Sequence, residues 1–320
     1  RHALNYVVAC YFEEERKDDG HSAKGIRKPD ARRKAQVVLE FNSYFVQPVL
    51  RKTFGDAFLG LSATIGDAGI WKFETGLDVA FHRFGSGWSP ANTRIFLPTD
   101  VPWLGTRAPR VRGHVTPMPH KTVRLKSARK MIVNTACGFA EHGIRSLIVV
   151  PSNGERSAIV SLIRKDGIDA RTYGNGISAQ EAATLFRNGE GDCLVGTPAQ
   201  YAEGVDLPQG TAPVILVMKP AYAPPSDPQR QFEGRRFTKG QYWMLQQWRA
   251  MIEALQVRGR NMRSETDVGV AFFFSQQYGH FLYGCLPEWL RPAYRNGKTL
   301  EECVRETYAL LQPQSAAVGG

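Results

Sequence analysis

Residues 256–274 read QVRGRNMRSETDVGVAFFF. Arg258, Arg260 and Arg263 crowd into six residues, a short acidic turn follows, and the stretch ends in β-branched and aromatic residues. That last run has the composition of a buried strand. Upstream, QYWMLQQWRAMIEAL (241–255) places Met244, Trp248, Met251, Ile252 and Leu255 at spacings that fall on one face of a helix. If this helix continues, Gln256, Arg260 and Arg263 share a face at i, i+4 and i+7, and Arg258 points elsewhere. Gly259 keeps the surface low beside Arg260, so that another backbone or a phosphate can come close. The permanently charged fork of arginine suits phosphate. A solvated basic helix end, with cations offsetting the helix dipole, explains any single one of these arginines equally well.

Strand and helix alternate in the region before this stretch. SLIVV (146–150), ARTY (170–173), DCLVGT (192–197) and APVILVMK (212–219) read as strands, with helical patterns at 155–165 and from Ser178 to Arg187. Ser178 and Glu181 have the spacing of a capping box. The alternation predicts an α/β fold with a parallel sheet, whose ligands bind beyond the carboxyl ends of the strands. Those ends are PSN (151–153), TPAQYAEGVD (197–206) and KPAYAPPSDP (219–228), all polar or sharply turning.

Farther toward the N-terminus the pattern weakens. Residues 78 to about 120, rich in Pro, Gly and Arg, read as a long connection. FLGLSATIGD (58–67) ends a short apolar strand, and AQVVLEFNSYFVQPVLRKTF (35–54) reads as a helical segment. The charged stretch EEERKDDGHSAKGIRKPDARRK is expected to be solvated and mobile. The expected division is 1–57, 58–120 and 121–320.

Composition sets the class. The chain has 320 residues, 42% hydrophobic and 22% charged, as in a globular protein, with a net charge of +11. Such an excess favours a polyanionic partner. The five cysteines form no CxxC pair, so neither a zinc site nor a disulfide framework is predicted, and free thiols suit a cytoplasmic protein. No stretch approaches the ~18 apolar residues of a membrane helix, and no signal peptide opens the chain. It begins at Arg1, which reads as part of a longer protein.

QVRGRNMRSETDVG resembles motif VI of superfamily-two helicases, Q-x-x-G-R-x-x-R, and SETDVGV resembles its form in the DinG and XPD families. GTPAQYAEGVDLPQG (196–210) resembles motif V with its E-G-x-D core, and VMKPAYAPPSDP resembles the strand and proline-rich loop that follow it in DinG proteins. LIVVPSN stands where motif IV belongs, and GLSATIGD resembles motif III. These five blocks stand in family order across residues 59–274. No G-x-x-x-x-G-K-[ST] phosphate loop and no D-E-x-H box occurs; NGKT (296–299) has Pro292 where the loop needs glycine and reads as a loop before a C-terminal helix.

The resemblance implies a RecA-like second motor domain preceded by the motif III end of a first motor domain and the tail of a helical, partly irregular insertion. It implies an ATP-dependent helicase or translocase, 5′→3′ on single-stranded DNA, whose ATP and Mg²⁺ are gripped mainly by a first domain not in this chain; the chain alone is expected not to hydrolyse ATP at a useful rate. Arg260 and Arg263 would face the γ-phosphate, one as an arginine finger, with Gln256 sensing the nucleotide. Glu203, Gly204 and Asp206, with Gly259, would couple nucleotide to nucleic acid, although Asp206 also suits a turn before Leu207-Pro208. Ser62 and Thr64 would link the cleft to the DNA track, although a strand-end turn explains them as well.

Ser152, Asn153 and Thr197 would hold the nucleic-acid backbone. Arg235, Arg236 and Lys239, interleaved with aromatic rings in QRQFEGRRFTKGQYW (229–243), would add to the track, or form a surface loop with its rings tucked into the core. The family's iron–sulfur cluster is held by a first domain and is not encoded here. A DinG-like helicase accompanies type IV CRISPR systems, which makes a CRISPR ribonucleoprotein an expected partner. The alternatives are a nucleic-acid-binding accessory protein that no longer hydrolyses ATP and an unrelated α/β enzyme acting on a phosphorylated small molecule.

Overall fold

Runs of four or five apolar residues with no polar alternation form strands covered on both faces, and four such runs make the centre of this fold. The computed structural model describes residues 6–14, 35–43, 47–54, 59, 67–82, 85, 88–111, 114–201, 207, 210–262 and 264–311. They fall into two compact units, one of Arg1–Leu61, Asp67–Val79 and Ala223–Leu245, the other of Ser62–Gly66, Ala80–Tyr222 and Gln246–Gly320.

The smaller unit begins with an antiparallel pair, β1 (Tyr6–Glu14) and β2 (Ala35–Ser43), in register from Tyr6 opposite Ser43 to Glu14 opposite Ala35. Helices α1 (Gln47–Phe54) and α2 (Ala68–Thr75) follow. The helix expected over 35–54 is therefore a strand and then a helix. Val37, Val38, Leu39 and Phe41 are β-formers when a partner strand lies beside them, and YVVACYFEE, itself rich in β-branched and aromatic residues, supplies that partner. Asp67 caps α2 by accepting from the Gly69 and Ile70 amides at 2.8 and 3.2 Å.

The larger unit is built on β3 (Thr93–Phe96), the short antiparallel pair β4 (Arg110–Val111) and β5 (His114–Val115), α3 (Lys121–Glu141), β6 (Ser146–Val149), α4 (Asn153–Lys165), β7 (Ala170–Arg171), α5 (Ala179–Arg187), β8 (Cys193–Gly196), α6 (Pro198–Tyr201) and β9 (Val214–Val217). After α7 (Pro228–Arg236) of the smaller unit and α8 (Lys239–Arg258), which contributes to both, come β10 (Gly269–Phe273), α9 (Leu282–Cys285), β11 (Tyr294–Arg295) and α10 (Leu300–Leu311). Seven strands form one parallel sheet in the order β11-β3-β10-β9-β6-β8-β7. Every residue of β6, β8, β9 and β10 is buried. This is the helix-flanked parallel sheet of a RecA-like motor domain.

The residues read as a long connection, 78–120, contain β3, whose Ile95 and Phe96 are fully buried and whose strand pairs with β10. Four residues, TRIF, between proline- and glycine-rich flanks are too few to show a period. The stretch 229–243 is likewise no loop: α7 and the start of α8 occupy it. Asp227 accepts from the Arg230 amide at 2.8 Å and Pro228 holds the first helical position, so this helix has a strong start signal in its sequence. Trp243, one of the rings that the surface-loop alternative tucks into the core, is 38% exposed.

The core lies on both faces of the sheet. Phe96 meets Phe272 at 4.9 Å between ring centres, and Phe139 of α3 covers Phe272 at 6.0 Å. Tyr308 of α10 donates to the Gly138 carbonyl of α3 at 2.9 Å. Glu306 gathers the end of the sheet, accepting from Arg94 at 2.9 Å and Arg295 at 3.3 Å and pairing with Lys298. Burial pushes its pKa up, but the bonds from Lys298 and Arg94 outweigh that and hold it below the usual carboxylate range. Among the described residues no helix is long and apolar enough to cross a membrane.

Candidate functional site

Because all seven strands run the same way, the sheet has an amino edge and a carboxyl edge, and Gln256, Gly259 and Arg260 lie at the first, Ser152, Asn153 and Thr197 at the second. The α-helical part of α8 ends at Arg258, and a 3-10 turn, Gly259–Asn261, follows it. The single helical face drawn through Gln256, Arg260 and Arg263 is thus broken at Gly259. Arg263, together with Ser62, Thr64, Glu203, Gly204 and Asp206, lies outside the described residues.

The turn sits at the amino edge. Asn261 Nδ2 donates to the carbonyls of Pro213, just before β9, at 2.9 Å and Val270, in β10, at 3.3 Å. A side chain at Gly269 would collide with that carboxamide, since its Cβ would lie 2.5 Å from Asn261 Nδ2. Arg258 does point away from its neighbours, as the helical wheel predicts, but it points inward. It is 4% exposed and donates to Thr93 Oγ1 at 2.7 Å, and the Thr93 hydroxyl donates to the Gly269 carbonyl at 2.8 Å. Its Nε is buried without a hydrogen bond, and burial lowers its pKa to about 10, which leaves it charged at neutral pH. No carboxylate pairs with it among the described residues. The SETD turn closes on itself, Asp267 accepting from the Ser264 amide at 2.7 Å. Beside this frame Gln256 and Arg260 are half-buried, and a Cβ at Gly259 would meet nothing within 4 Å. Glycine at 259 thus leaves open space rather than making a packing contact.

The carboxyl edge brings Asn153 and Thr197 together through a residue that the sequence did not single out. Tyr173, just past β7, donates its hydroxyl to Asn153 Oδ1 at 2.9 Å and lies 3.0 Å from Thr197 Oγ1. Ser152 caps α4, accepting from the Glu155 amide at 3.3 Å, which places Asn153 at the helix N-terminus. Arg129 of α3 grips Glu155 in a two-point pair at 2.7 and 2.8 Å. The Arg156 guanidinium lies 3.9 Å from the centre of the Tyr173 ring and donates to the Tyr173 carbonyl. Lys219, at the end of β9, is also on this edge. Burial, then the neighbouring Lys121, lowers its pKa against the opposing pull of Glu155. Nothing in spacing marks Tyr173, which the strand order alone puts here, whereas Lys219 opens the stretch 219–228 that reads as a strand's carboxyl end in the sequence.

Arg235, Arg236 and Lys239 belong to the smaller unit, on α7 and the start of α8. All three are exposed, and Arg236 reaches over the Phe232 ring at 5.8 Å. Arg230 is used structurally, bonding the Tyr242 hydroxyl and the Ala223 carbonyl.

Residues 132–293, half of the chain, match the helicase C-terminal domain family. No curated protein matches the chain. Among solved structures, an XPD helicase superposes with a TM-score of 0.55 at 14% identity, over 77% of this chain and 44% of its own. XPD in its apo form gives 0.56 at 12%, over 82% and 52%, and S. tokodaii Xpd4 gives 0.51 at 10%, over 81% and 48%. At these identities the likeness is one of fold, and the chain spans about half the length of each. Through its matched domain, the chain belongs to the helicase C-terminal domain family.

Proposed function

We propose that this chain supplies the second motor domain of an ATP-dependent DNA helicase or translocase of the DinG type, moving 5′→3′ along single-stranded DNA. The observation that carries the reading is the division of the site between the two sheet edges: a cationic turn with open space beside it at one, and a small-residue hydrogen-bonding surface at the other. Phosphoryl transfer needs positioning and stabilisation of charge spreading over the γ-phosphate, and little covalent chemistry from the protein. Arg260 and Arg263 supply that charge across a cleft whose other wall, with the phosphate loop and the acidic box for Mg²⁺, belongs to a first motor domain. Gln256 reads the nucleotide from the last turn of α8. Arg258 holds the turn rather than reaching the nucleotide, because its guanidinium is spent on Thr93 inside the fold.

At the carboxyl edge, Ser152, Asn153 and Thr197 belong to the surface that meets the sugar-phosphate backbone, where neutral donors fix register without reading bases. Glu203, Gly204 and Asp206 join this edge to the nucleotide, and Ser62 and Thr64 connect it to the first domain. A cytoplasmic site and a CRISPR ribonucleoprotein partner rest on cysteine usage and on the DinG resemblance. The division of the chain at about residues 57 and 120 remains part of the same proposal.

The test is strand displacement and DNA-stimulated ATP turnover by the full-length protein, on duplexes carrying a 5′ or a 3′ single-stranded tail. Unwinding that requires the 5′ tail is expected. Unwinding from the 3′ tail overturns the polarity, and tight DNA binding without any turnover favours the accessory-protein reading.

A further inference from the structure

The chain of hydrogen bonds at the carboxyl edge fixes the direction of its protons. Tyr173 has one hydroxyl proton, and it goes to Asn153 Oδ1 at 2.9 Å. The contact of 3.0 Å between Tyr173 and Thr197 then has Thr197 as donor. The order is Thr197 O–H to Tyr173 O–H to Asn153 C=O, across loops that follow β8, β7 and β6, three neighbouring strands. The Asn153 carbonyl is occupied, and its Nδ2 donates to none of the described residues. The Thr197 proton is already spent, so this hydroxyl has none left for a phosphate. Polarisation along such a chain strengthens the outermost donor, here the Asn153 amide.

The Tyr173 ring is fixed from two sides. Arg156 stacks on it at 3.9 Å, and the edge of Tyr201 meets it at 5.9 Å between centres. Tyr201 is fully buried and lies against Gly196, where a Cβ would come within 2.1 Å of the Tyr201 ring. Glycine at the last position of β8 is therefore what lets the aromatic pair close up beside Thr197.

We propose that Tyr173 is a positioning residue that turns the Asn153 amide outward as the phosphate donor of the carboxyl edge, with Thr197 acting through Tyr173 rather than on the DNA. The inference rests on the reading of this edge as a nucleic-acid surface. It assigns the role of donor to Asn153 and removes it from Thr197.

The experiment is a double-mutant cycle on the affinity of the full-length protein for a fluorescent oligothymidylate. Tyr173→Phe keeps the ring and its stack on Arg156 and deletes only the hydroxyl. It is expected to weaken binding about three- to tenfold, the size of one lost hydrogen bond. Thr197→Val should do the same or less, and Asn153→Ala at least as much. In the Asn153→Ala background Tyr173→Phe should cost nothing further, because its only route to the DNA is gone. A merely structural loss would persist in that background and would lower the melting temperature of Tyr173→Phe as well. Full additivity, or an unchanged affinity in Tyr173→Phe beside a weakened Asn153→Ala, overturns the role of Tyr173 and leaves the surface standing. An unchanged affinity in Asn153→Ala overturns the surface and the inference together.

Discussion

The two edges of the parallel sheet solve opposite problems. At the carboxyl edge, exposed Asn153 and half-buried Tyr173 and Thr197 satisfy one another without a formal charge, and a neutral donor is left at the start of α4. At the amino edge the groups are cationic, and one of them, Arg258, is buried without a counter-ion among the described residues. Neutral donors can slide from phosphate to phosphate at little cost, as a translocating contact must. A charge held in low dielectric is stronger and less forgiving, and Arg258 spends it on Thr93 inside the fold, where it fixes the turn that carries Arg260. Under the proposed function, the contrast gives the motor one edge that lets go easily and one whose frame stays fixed.

The contrast breaks most visibly if the amino edge is not catalytic. Arg260→Ala and Arg263→Ala are each expected to cut DNA-stimulated ATP turnover of the full-length protein by about a thousandfold, with single-stranded DNA affinity within about twofold of the original. Wild-type turnover in both variants would remove the nucleotide from this edge.

Arg258 tests whether the buried cation is there for the fold. Arg258→Ala opens a cavity and strands Thr93, and a loss of about 2–4 kcal/mol in a urea titration is expected. Arg258→Met retains the stem packing and discards a desolvated charge, so its loss should be about 1 kcal/mol or less. Equal losses in the two variants would mean that the guanidinium itself, not its stem, ties α8 to β3.

Much of this arrangement was legible in the sequence, and the parts that were not share a cause. SLIVV, CLVG, VILV and VAFFF announce buried strands because each is a continuous apolar run, and Ser178 with Glu181 announces the start of α5 through a cap that the fold uses. The helical angle set Arg258 apart from Gln256, but an angle says nothing of whether the side chain meets solvent or a strand, and Arg260 lies beyond the break at Gly259. β3, Asn261 and Tyr173 were missed because what defines each lies far away in the chain: β3 in its pairing with β10, Asn261 in the Pro213 carbonyl, Tyr173 in loops that only the order β6-β8-β7 makes neighbours. The segment Ala35–Ser43 was misread for the same reason, since its partner strand begins at Tyr6.

Glu253, on α8, gives a smaller, pH-dependent effect. Burial raises this carboxyl to about 7, close to the fully buried Tyr278, whose own pKa is raised first by burial and then by Glu253 and Tyr222. The folded state therefore holds a proton that the unfolded chain releases near its ordinary value of 4.5. Stability is greatest below that unfolded value and falls as pH rises toward 7, at no more than ~1.4 kcal/mol per pH unit. Glu253→Gln is expected to flatten the melting temperature between pH 5 and 7 and to raise it at pH 8. An unaltered pH profile would show that the carboxylate is solvated in the folded protein.

The finest distinction is between contacts that carry charge and contacts that do not, and salt reads it directly. A cation on a phosphate releases condensed counter-ions, and each such contact contributes about 0.7 to the slope of log affinity against log salt on a single strand. A neutral amide releases none. Asn153→Ala should thus weaken oligothymidylate binding equally at every salt concentration, leaving the slope as it was. Arg235→Ala and Arg236→Ala together should weaken binding to all sequences alike and lower the slope by roughly one or two. Both arginines are exposed on the last turn of α7, where a strand can reach them. An unchanged slope in the double variant makes α7 a solvated face and leaves Lys219, at the end of β9, to supply the salt dependence; Lys219→Gln would then lower the slope by about 0.7. A slope that falls in Asn153→Ala would mean that losing the amide also displaces a cation, and the Asn153 contact could no longer be treated as a neutral one.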